Sequence, residues 1–333
     1  MINRYTLGIN FLHSDTSASL FKNDELIAAS EEERFTRIKH TSNFPENSIK
    51  YCLKIGKINI SDVSNITINS NPIGSILKKI AFVLKNPFSN EIIFNSLRNT
   101  KNKISIKNQI LKIDKKNKFT GNIRYVDHHL SHIASSLFFS GFSKSINISI
   151  DGFGDFASCA WGNYENGVLK IEKKIYFPHS LGIFYQSLTQ FLGFRSYGDE
   201  YKVMGLSPYG TPKYVNEVSK LIYKTKNGFK LDLSYFLHHK KKIFDINKDG
   251  QFIYKDLYSD KLIDLLGAPR VPNEKIKEKH KDLAKSVQSV YEDIFFHVLK
   301  IAHEKYKNMD NLTLSGGCAM NSVANGKILQ NTN

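Results

Sequence analysis

The stretch INISIDGFGDFASCAWGNYENGVLKIEKKIYF, residues 146–177, contains apolar runs separated by glycine-containing turns. Apolar residues alternate with polar ones around Asn166-Gly167, a dipeptide that favours a two-residue β-hairpin turn. This pattern predicts a hairpin or meander of antiparallel strands that begins near Ile146. It decides the fold class, because it marks the start of a second strand-rich unit within the chain.

The N-terminal region opens in the same way. The run TLGIN, just after Tyr5, predicts a strand, HSDTSAS predicts a turn, and LFKNDELIAAS predicts a hairpin. Strands come early in each half and helices follow, an order that indicates an α/β protein of two related lobes. We assign residues 1–140 to the first lobe and residues 141–333 to the second.

Helical periodicity accounts for much of the remaining sequence. ENSIKYCLKIG predicts a helix that starts near Pro45, and GIFYQSLTQFLGF predicts a buried helix. A long helical pattern runs from Asn273 to Tyr306. In NLTLSGGCAMN we expect a strand, a Gly-Gly turn and the start of a helix. Residues 72–118 permit several short helices and receive no assignment.

Composition limits the class of protein. The three cysteines, Cys52, Cys159 and Cys318, are too far apart in sequence to indicate a CxxC metal site or a dense disulfide framework. No apolar run approaches the roughly 18 residues of a membrane helix, and the N-terminus lacks a signal-peptide core. We therefore expect a cytoplasmic protein with no membrane partner.

The chain is strongly basic, with 47 Lys and Arg against 31 Asp and Glu and a formal net charge of +16. The excess is spread over segments rich in Lys, Asn and Ile, without an array of arginines interleaved with aromatic residues. This distribution indicates a solvated lysine surface rather than a nucleic-acid interface. Such a surface would still favour small molecules that carry phosphate.

The heptapeptide VDHHLSH, residues 126–132, places three histidines within five positions. On a helix His128 and His132 are one turn apart, so both imidazoles can bind one cation, whereas His129 points elsewhere. A carboxylate ligand is also needed, and Asp127, Asp151 and Asp155 are the local candidates. The alternative is that these histidines only form hydrogen bonds at a helix N-terminus.

Two glycine-containing turns are candidate phosphate or nucleotide sites. In DGFGD, Gly152 and Gly154 would let backbone N–H groups approach a phosphate while Asp155 holds a metal or water. In LSGGCAMN, Gly316 and Gly317 would let a nucleotide lie against a helix N-terminus. Each motif also suits a structural role, as a meander turn or as close packing between a strand and a helix.

Three polar segments remain. His13 and Asp15 in HSDTSAS could supply a base and a carboxylate, or form a hydrogen-bonded turn. EEERFTRIKH, which contains Lys39, could hold an anionic substrate or form an exposed salt-bridged loop. GDEYKVMGLSPYG, which contains Lys202, is either a lid or a connection.

Eight stretches in this order resemble the NodU/CmcH-type O-carbamoyltransferases. They are LGINFLHSDTSASL, EEERFTRIKHTSNFP, VDHHLSHIASS, SIDGFGDFASCAWG, FPHSLGIFYQSLTQFLGF, GDEYKVMGLSPYG, HKDLAKSVQSVYE and LSGGCAMNSVANGK. The resemblance covers nearly the whole chain except residues 72–118.

The resemblance implies a fold and a reaction. The N-terminal domain of this family is similar to the catalytic subunit of tRNA threonylcarbamoyl transferase. It has the fold type of actin, sugar kinases and heat-shock ATPases, with duplicated ribonuclease-H-like lobes around a nucleotide cleft. The implied reaction is attack by a hydroxyl of a sugar-like or natural-product acceptor on carbamoyl-adenylate, which is made from carbamoyl phosphate and ATP. The products are an O-carbamoylated acceptor and AMP.

The resemblance also implies roles for individual residues. By it His128 and His132 are metal ligands, with Fe²⁺ the expected ion, and we add Asp151 as the carboxylate ligand within this chain. The DGFGD loop matches a phosphate loop, and Gly316, Gly317 and Asn321 fall in the adenosine-binding turn. His13, with Asp15 beside it, matches the histidine that orients or deprotonates the acceptor. Lys39 and Lys202 are the expected substrate-binding cations.

One departure from the family concerns the C-terminus. In the family a further strand and a GDxG segment, which supplies the third metal ligand, precede a YrdC-like domain that makes carbamoyl-adenylate. Because the sequence ends at Asn333 before these segments, we expect a C-terminally truncated chain that cannot run the full reaction alone. A non-catalytic nucleotide-binding scaffold and a tRNA-modifying relative remain alternatives, and a homodimer is plausible.

Overall fold

The computed structural model describes residues 4–11, 13–71, 73–85, 106–114, 116 and 118–332. The strands are β1 Tyr5–Asn10, β2 Ser17–Lys22, β3 Glu25–Glu31, β4 Val63–Ile68, β5 Asn122–Tyr125, β6 Lys144–Gly154, β7 Ala157–Glu165, β8 Val168–Tyr176, β9 Ile222–Thr225, β10 Gly228–Leu231, β11 Phe244–Ile246, β12 Phe252–Tyr254 and β13 Leu312–Ser315. The helices are α1 Glu33–Thr36, α2 Glu46–Gly56, α3 Ile76–Lys85, α4 Ile106–Ile113, α5 His128–Leu137, α6 Leu181–Phe191, α7 Glu200–Leu206, α8 Val215–Val218, α9 Asp260–Leu266, α10 Glu278–Lys305, α11 Ser322–Asn325 and α12 Ile328–Asn331.

The described residues form two compact units. Unit 1 takes those within 1–76, 90–128 and 244–253, and unit 2 takes those within 77–89, 129–243 and 254–333. The boundary therefore falls at the start of α5 and not at residue 140, the position inferred from sequence. The reason is that Ile133 and Leu137 of α5 pack against Ala160 of β7, which ties this helix to the second sheet.

Unit 1 is built on a five-stranded sheet with the order β3-β2-β1-β4-β5. The first three strands form an antiparallel meander, and β4 and β5 run parallel to β1. The hairpin predicted from LFKNDELIAAS is β2–β3, and Asn23 in its turn has a φ of 55°, a left-handed value that Asn tolerates better than most residues. A meander followed by parallel strands is the ribonuclease-H-like arrangement.

The helix predicted near Pro45 is α2, which begins at Glu46 and buries Ile49, Cys52 and Leu53. Its N-terminus is fixed by Glu32, a buried carboxylate from the segment after β3. One oxygen of Glu32 accepts hydrogen bonds from the backbone and side-chain nitrogens of Asn47, and the other accepts from the backbone nitrogen and hydroxyl of Ser48. A negative charge at this end also interacts favourably with the helix dipole.

Unit 2 contains a four-stranded sheet with the order β13-β6-β7-β8. Strands β6, β7 and β8 form an antiparallel meander, and β13 runs parallel to β6. The turn between β7 and β8 is Asn166-Gly167, with φ values of 53° and 77°, as the sequence predicts. Both units therefore share a meander joined to a parallel strand, which confirms the predicted α/β fold with duplicated ribonuclease-H-like lobes.

Two helices pack against the sheet of unit 2. The predicted buried helix is α6, and Phe184 and Leu188 on it are fully buried. The long helix is α10, whose core residues include Tyr291 and Phe295. It begins at Glu278 rather than near Asn273, because Asn273 has a φ of 67°, which a right-handed helix cannot contain.

A short hairpin formed by β11 and β12 belongs to unit 1, although unit 2 flanks it in sequence. The carbonyl of Gly250 in its turn accepts hydrogen bonds from the backbone nitrogen and hydroxyl of Ser42. The side chain of Gln251 donates to the carbonyl of Lys39 at 3.2 Å. The hairpin thus supports the loop between α1 and α2 that carries Lys39.

The three cysteines are free thiols, in agreement with the expectation that they form no disulfide framework. Within the ranges that the structure describes, no helix has both the length and the apolar character needed to cross a membrane.

Candidate metal centre and nucleotide turn

Helix α5 presents the histidine pair as the sequence predicts. His128 is its first residue and His132 follows one turn later, so the two imidazoles share one side of the helix. His129 points away, and its Nδ1 lies 2.8 Å from the hydroxyl of Ser149 on β6. This contact holds α5 against the second sheet.

Asp151, near the end of β6, lies beside the histidine pair. Its Oδ2 is 3.2 Å from Nε2 of His132, and its Oδ1 accepts a hydrogen bond of 3.1 Å from the backbone nitrogen of Gly317. One carboxylate therefore contacts both the histidine helix and the Gly316-Gly317 turn. Strand pairing makes this possible, because β13 runs parallel to β6 and delivers its C-terminal turn next to Asp151.

The donor set suits a divalent transition metal. Ligand atoms of His128, His132 and Asp151 all lie within 4.8 Å of one another. A set of two imidazoles and one carboxylate binds Fe²⁺ and other divalent transition-metal ions. Of the three carboxylates proposed from sequence, Asp151 is the one that the structure brings into this group.

The DGFGD segment is the tip of the β6–β7 hairpin. Asp155 and Phe156 form its turn, with φ values of 49° and 73°. The backbone of Gly152 lies against Gly182 at the start of α6, where a Cβ on residue 182 would come within 2.9 Å of the Cα of Gly152. Ser180 closes this contact by donating from its hydroxyl to the carbonyl of Gly152 at 2.7 Å.

The LSGGCAMN segment forms the predicted strand and turn, with β13 followed by a 3₁₀ helix at Gly317–Met320 and then α11. Gly316 has a φ of 91°, and a Cβ there would lie 2.4 Å from the carbonyl oxygen of Ile150. A glycine is therefore required at this position for two reasons, its backbone conformation and its approach to β6.

Asn321, an expected nucleotide-binding residue, forms hydrogen bonds within the protein. Its side-chain oxygen accepts from the backbone nitrogen of Ala324 and so caps α11, and its amide exchanges two hydrogen bonds with Gln288 of α10. Nearby, burial raises the pKa of the Cys318 thiol well above its ordinary value, so this thiol stays protonated. Asn321 and Cys318 both form hydrogen bonds that hold the turn in this conformation.

In unit 1, His13 and Asp15 each contact other residues. Asp15 Oδ1 is 2.7 Å from Nδ1 of His40, whose backbone nitrogen donates to Glu33. His13 instead has its Nδ1 2.9 Å from the carbonyl of Ser14, while Asn69 lies 3.2 Å from its Nε2. The ring of His13 is edge-on to that of His128, with centroids 5.8 Å apart.

A carbonyl can only accept a hydrogen bond, so the contact with Ser14 puts the proton of a neutral His13 on Nδ1. Nε2 is then the acceptor, which is the form that a general base requires. Asp15, Glu33 and His40 make a second group of possible metal ligands in unit 1. Their mutual contacts are those of an ordinary hydrogen-bonded loop.

The two expected substrate-binding lysines differ in setting. Lys39 is exposed on the loop before α2. Lys202 on α7 forms an ion pair of 2.7 Å with Asp199, and this contact raises the pKa of Lys202. In the structure Lys202 therefore already has an anionic partner.

Sequence reasoning missed the residues that support the glycine turn from α10. Gln288 and Tyr291 both lie on the buried face of the helix. Gln288 could have been noticed, because it is a polar residue among the apolar positions Val287, Val290 and Ile294. Ser149, which contacts His129, carried no comparable signal.

Comparison with known proteins shows the family to which the chain belongs. A sequence model described as Carbamoyltransferase N-terminus matches residues 5–333. An uncharacterised protein of Synechocystis is 32% identical over 98% of this chain and 52% of its own length. The nodulation protein NolNO of Sinorhizobium fredii is 31% identical over 98% of this chain and 44% of its own length. The chain thus spans about half the length of these relatives.

Among solved structures, component A of (R)-2-hydroxyglutaryl-CoA dehydratase from Acidaminococcus fermentans aligns with a TM-score of 0.48 at 12% identity, over 98% of this chain and 88% of its own. The family match covers nearly the whole sequence, including the histidine helix, the β6–β7 hairpin and the glycine turn. The chain therefore belongs to the carbamoyltransferase family, and its residues 5–333 match the N-terminal part of those enzymes.

Proposed function

We propose that the chain is the acceptor domain of an O-carbamoyltransferase that uses carbamoyl-adenylate. The carbamoyl group would pass to a hydroxyl of a sugar-like or natural-product acceptor. Membership of the carbamoyltransferase family supports the group that is transferred.

The observation that carries the proposal is the position of Asp151. Its two oxygens contact His132 on one side and the backbone of Gly317 on the other. Asp151 belongs to the group of possible metal ligands, and its carboxylate also accepts a hydrogen bond from the glycine turn. The group of possible ligands therefore lies next to this turn. This is the arrangement expected where a cation and the phosphate of an adenylate meet.

In the proposed reaction the acceptor oxygen attacks the carbamoyl carbon and a new C–O bond forms. The bond between that carbon and the phosphate oxygen breaks, and AMP leaves with the electron pair. The acceptor proton passes to a base, for which we propose Nε2 of His13, since the contact of Nδ1 with Ser14 leaves Nε2 as the acceptor. Asn69, now 3.2 Å from Nε2, would give way to the acceptor hydroxyl.

His128, His132 and Asp151 would hold the divalent cation, and we propose Fe²⁺. When bound, the cation would supply positive charge beside the adenylate phosphate. The turn at Gly316 and Gly317 would lie along the nucleotide, and Lys39 remains a proposed substrate-binding cation. Carbamoyl phosphate and ATP would be converted to the adenylate by the remaining part of the longer relatives.

The test uses the complete gene product that contains this chain, with Fe²⁺, ATP, carbamoyl phosphate and a panel of oligosaccharide and polyketide alcohols. We expect AMP release together with a carbamoylated alcohol, detected by mass spectrometry. His13→Gln should abolish the carbamoylated product yet still permit formation of carbamoyl-adenylate. His303→Gln, in the last turn of α10, is the matched control and should behave as the native enzyme.

Two results would count against the proposal. One is carbamoylated product from His13→Gln at the native rate, which would remove His13 as the base. The other is carbamoylation of tRNA, with none of the alcohols modified. That result would favour the tRNA-modifying alternative, which is motivated by the net charge of +16.

A further inference from the structure

The Gly316–Asn321 turn forms hydrogen bonds with three residues elsewhere in unit 2. Asp151 accepts from the backbone nitrogen of Gly317 at 3.1 Å. The hydroxyl of Tyr291 donates to the carbonyl of Cys318 at 2.6 Å. Gln288 exchanges two hydrogen bonds of 3.0 Å with the side chain of Asn321. Two of the three contacts thus come from residues of α10.

Gln288 is the centre of this support. Its amide oxygen accepts from Tyr185 of α6 at 2.8 Å and from Asn321, and its amide nitrogen donates to Asn321 and to Glu292. Because the carboxylate of Glu292 can only accept, the orientation of the Gln288 amide is determined. The side chain is only 1% exposed, so its contacts with the protein are protected from water.

The network continues beyond the turn. Glu292 also accepts two hydrogen bonds, of 2.8 and 2.7 Å, from the ammonium of Lys327, which follows α11. The segment on either side of Asn321 is therefore fastened to the same helix. Asn321 itself uses its oxygen to cap α11, so its polar atoms act within the protein.

We propose that Gln288 and Tyr291 are positioning residues that fix the Gly316–Asn321 turn in the conformation that binds the adenine nucleotide. This inference rests on the proposed function. It assigns to α10 a role in nucleotide affinity without any contact between its side chains and the ligand. Metal binding should be largely independent of α10, because His128, His132 and Asp151 lie on α5 and β6.

The experiment measures two ligands on the same full chain, AMP by calorimetry and Co²⁺ by its visible absorption. Tyr291→Phe removes one hydroxyl and keeps the ring, and Gln288→Glu keeps the shape but replaces a donor with an acceptor. We expect Tyr291→Phe to weaken AMP binding by roughly two- to tenfold, the effect of one lost hydrogen bond, and Gln288→Glu to weaken it more. The affinity for Co²⁺ should change less than about twofold in Tyr291→Phe, because its three ligands are retained.

The matched control is Tyr306→Phe, which removes a hydroxyl bound to Glu172 elsewhere in unit 2. Native affinity for AMP in this control supports the inference, whereas an equal loss there would overturn it. Native AMP affinity in both Tyr291→Phe and Gln288→Glu would overturn it too, as would a parallel loss of Co²⁺ and AMP in Tyr291→Phe. Failure of the native chain to bind AMP would instead refute the proposed function.

Discussion

At the scale of single residues, Asp151 makes two contacts through the two oxygens of one carboxylate. The strand ends near this residue, so its carboxylate reaches His132 with one oxygen and the turn after β13 with the other. Substitution of Asp151 should therefore affect both ligands of the proposed site. Substitution of His132 should affect the metal alone.

We predict that His132→Gln lowers the affinity of the chain for Co²⁺ by more than about a hundredfold, the upper end of the effect of losing an outer-sphere partner. The physical reason is the loss of one of three converging ligands. Titration followed by visible absorption measures the change. His303→Gln is the control, and equal affinities in the two variants would show that the histidine pair does not bind the metal.

The proposed metal ligands also show what can be predicted from a sequence. Spacing alone placed His128 and His132 on one side of a helix, because helical geometry is local. Spacing did not by itself choose among Asp127, Asp151 and Asp155, since that choice depends on how α5 lies against β6, and the assignment of Asp151 went beyond what spacing gives. The partner of Asp15 was missed for the same reason, because His40 is distant in sequence and reaches Asp15 only through the fold.

At the scale of secondary-structure elements, α2 depends on a carboxylate that lies outside it. Glu32 is 2% exposed and accepts four hydrogen bonds from the first turn of the helix. Sequence periodicity predicted the helix and its buried face. The cap was not predicted, because Glu32 is 16 residues from Ser48 and sits in a run of three glutamates.

We predict that Glu32→Ala lowers the free energy of unfolding by about 3 kcal/mol, because hydrogen bonds to a buried charged group are lost and their donors are left unsatisfied. Urea denaturation followed by circular dichroism gives the value. Glu31→Ala is the neighbouring control. Its side chain is half exposed and paired with Arg34, so we expect a change below about 0.5 kcal/mol. Similar losses in both variants would contradict the assignment.

The hairpins were the most predictable elements. Asn23 and Asn166-Gly167 occupy left-handed turn positions that few other residues accept, so their identity specified the turn directly. The start of α10 was predicted five residues too early. The spacing of apolar residues typical of the helix continues back to Asn273, which lies in a turn before the helix. Periodicity reports which residues face the core, and it does not report where the backbone changes direction.

At the scale of the whole molecule, one expected property is the pH dependence of stability. His238 is 3% exposed, stacks on Phe153 of the β6–β7 hairpin and contacts the carbonyl of Pro178 through Nε2. Burial lowers the pKa of His238 from 6.5 to about 3, and burial likewise lowers the pKa of His179 and of His239 to about 4. The folded state therefore keeps these imidazoles neutral in mildly acidic solution.

Unfolded chains take up protons on these histidines near pH 6.5, whereas the folded chain resists doing so. Their contribution to stability is present above pH 6.5 and is lost progressively as the pH falls toward the folded pKa values, about 4 for His179 and His239 and about 3 for His238. We predict that the free energy of unfolding falls between pH 7 and pH 5 by roughly 2 kcal/mol for His238 alone. Urea denaturation at a series of pH values measures this slope.

His238→Gln should reduce the slope between pH 7 and pH 5, because the glutamine side chain does not titrate. His303→Gln, on the partly exposed last turn of α10, should leave the slope unchanged. If His238→Gln retained the full native slope, proton uptake by this histidine would not be a cause of acid destabilisation.

The β11–β12 hairpin has a consequence for the order in which the protein is made. The loop bearing Lys39 emerges from the ribosome early, yet its hydrogen-bonding partners at Gly250 and Gln251 emerge some two hundred residues afterwards. Translation must therefore pass through much of unit 2 before unit 1 can be completed. A gene cut after codon 140 would encode a Lys39 loop that never receives its support from this hairpin.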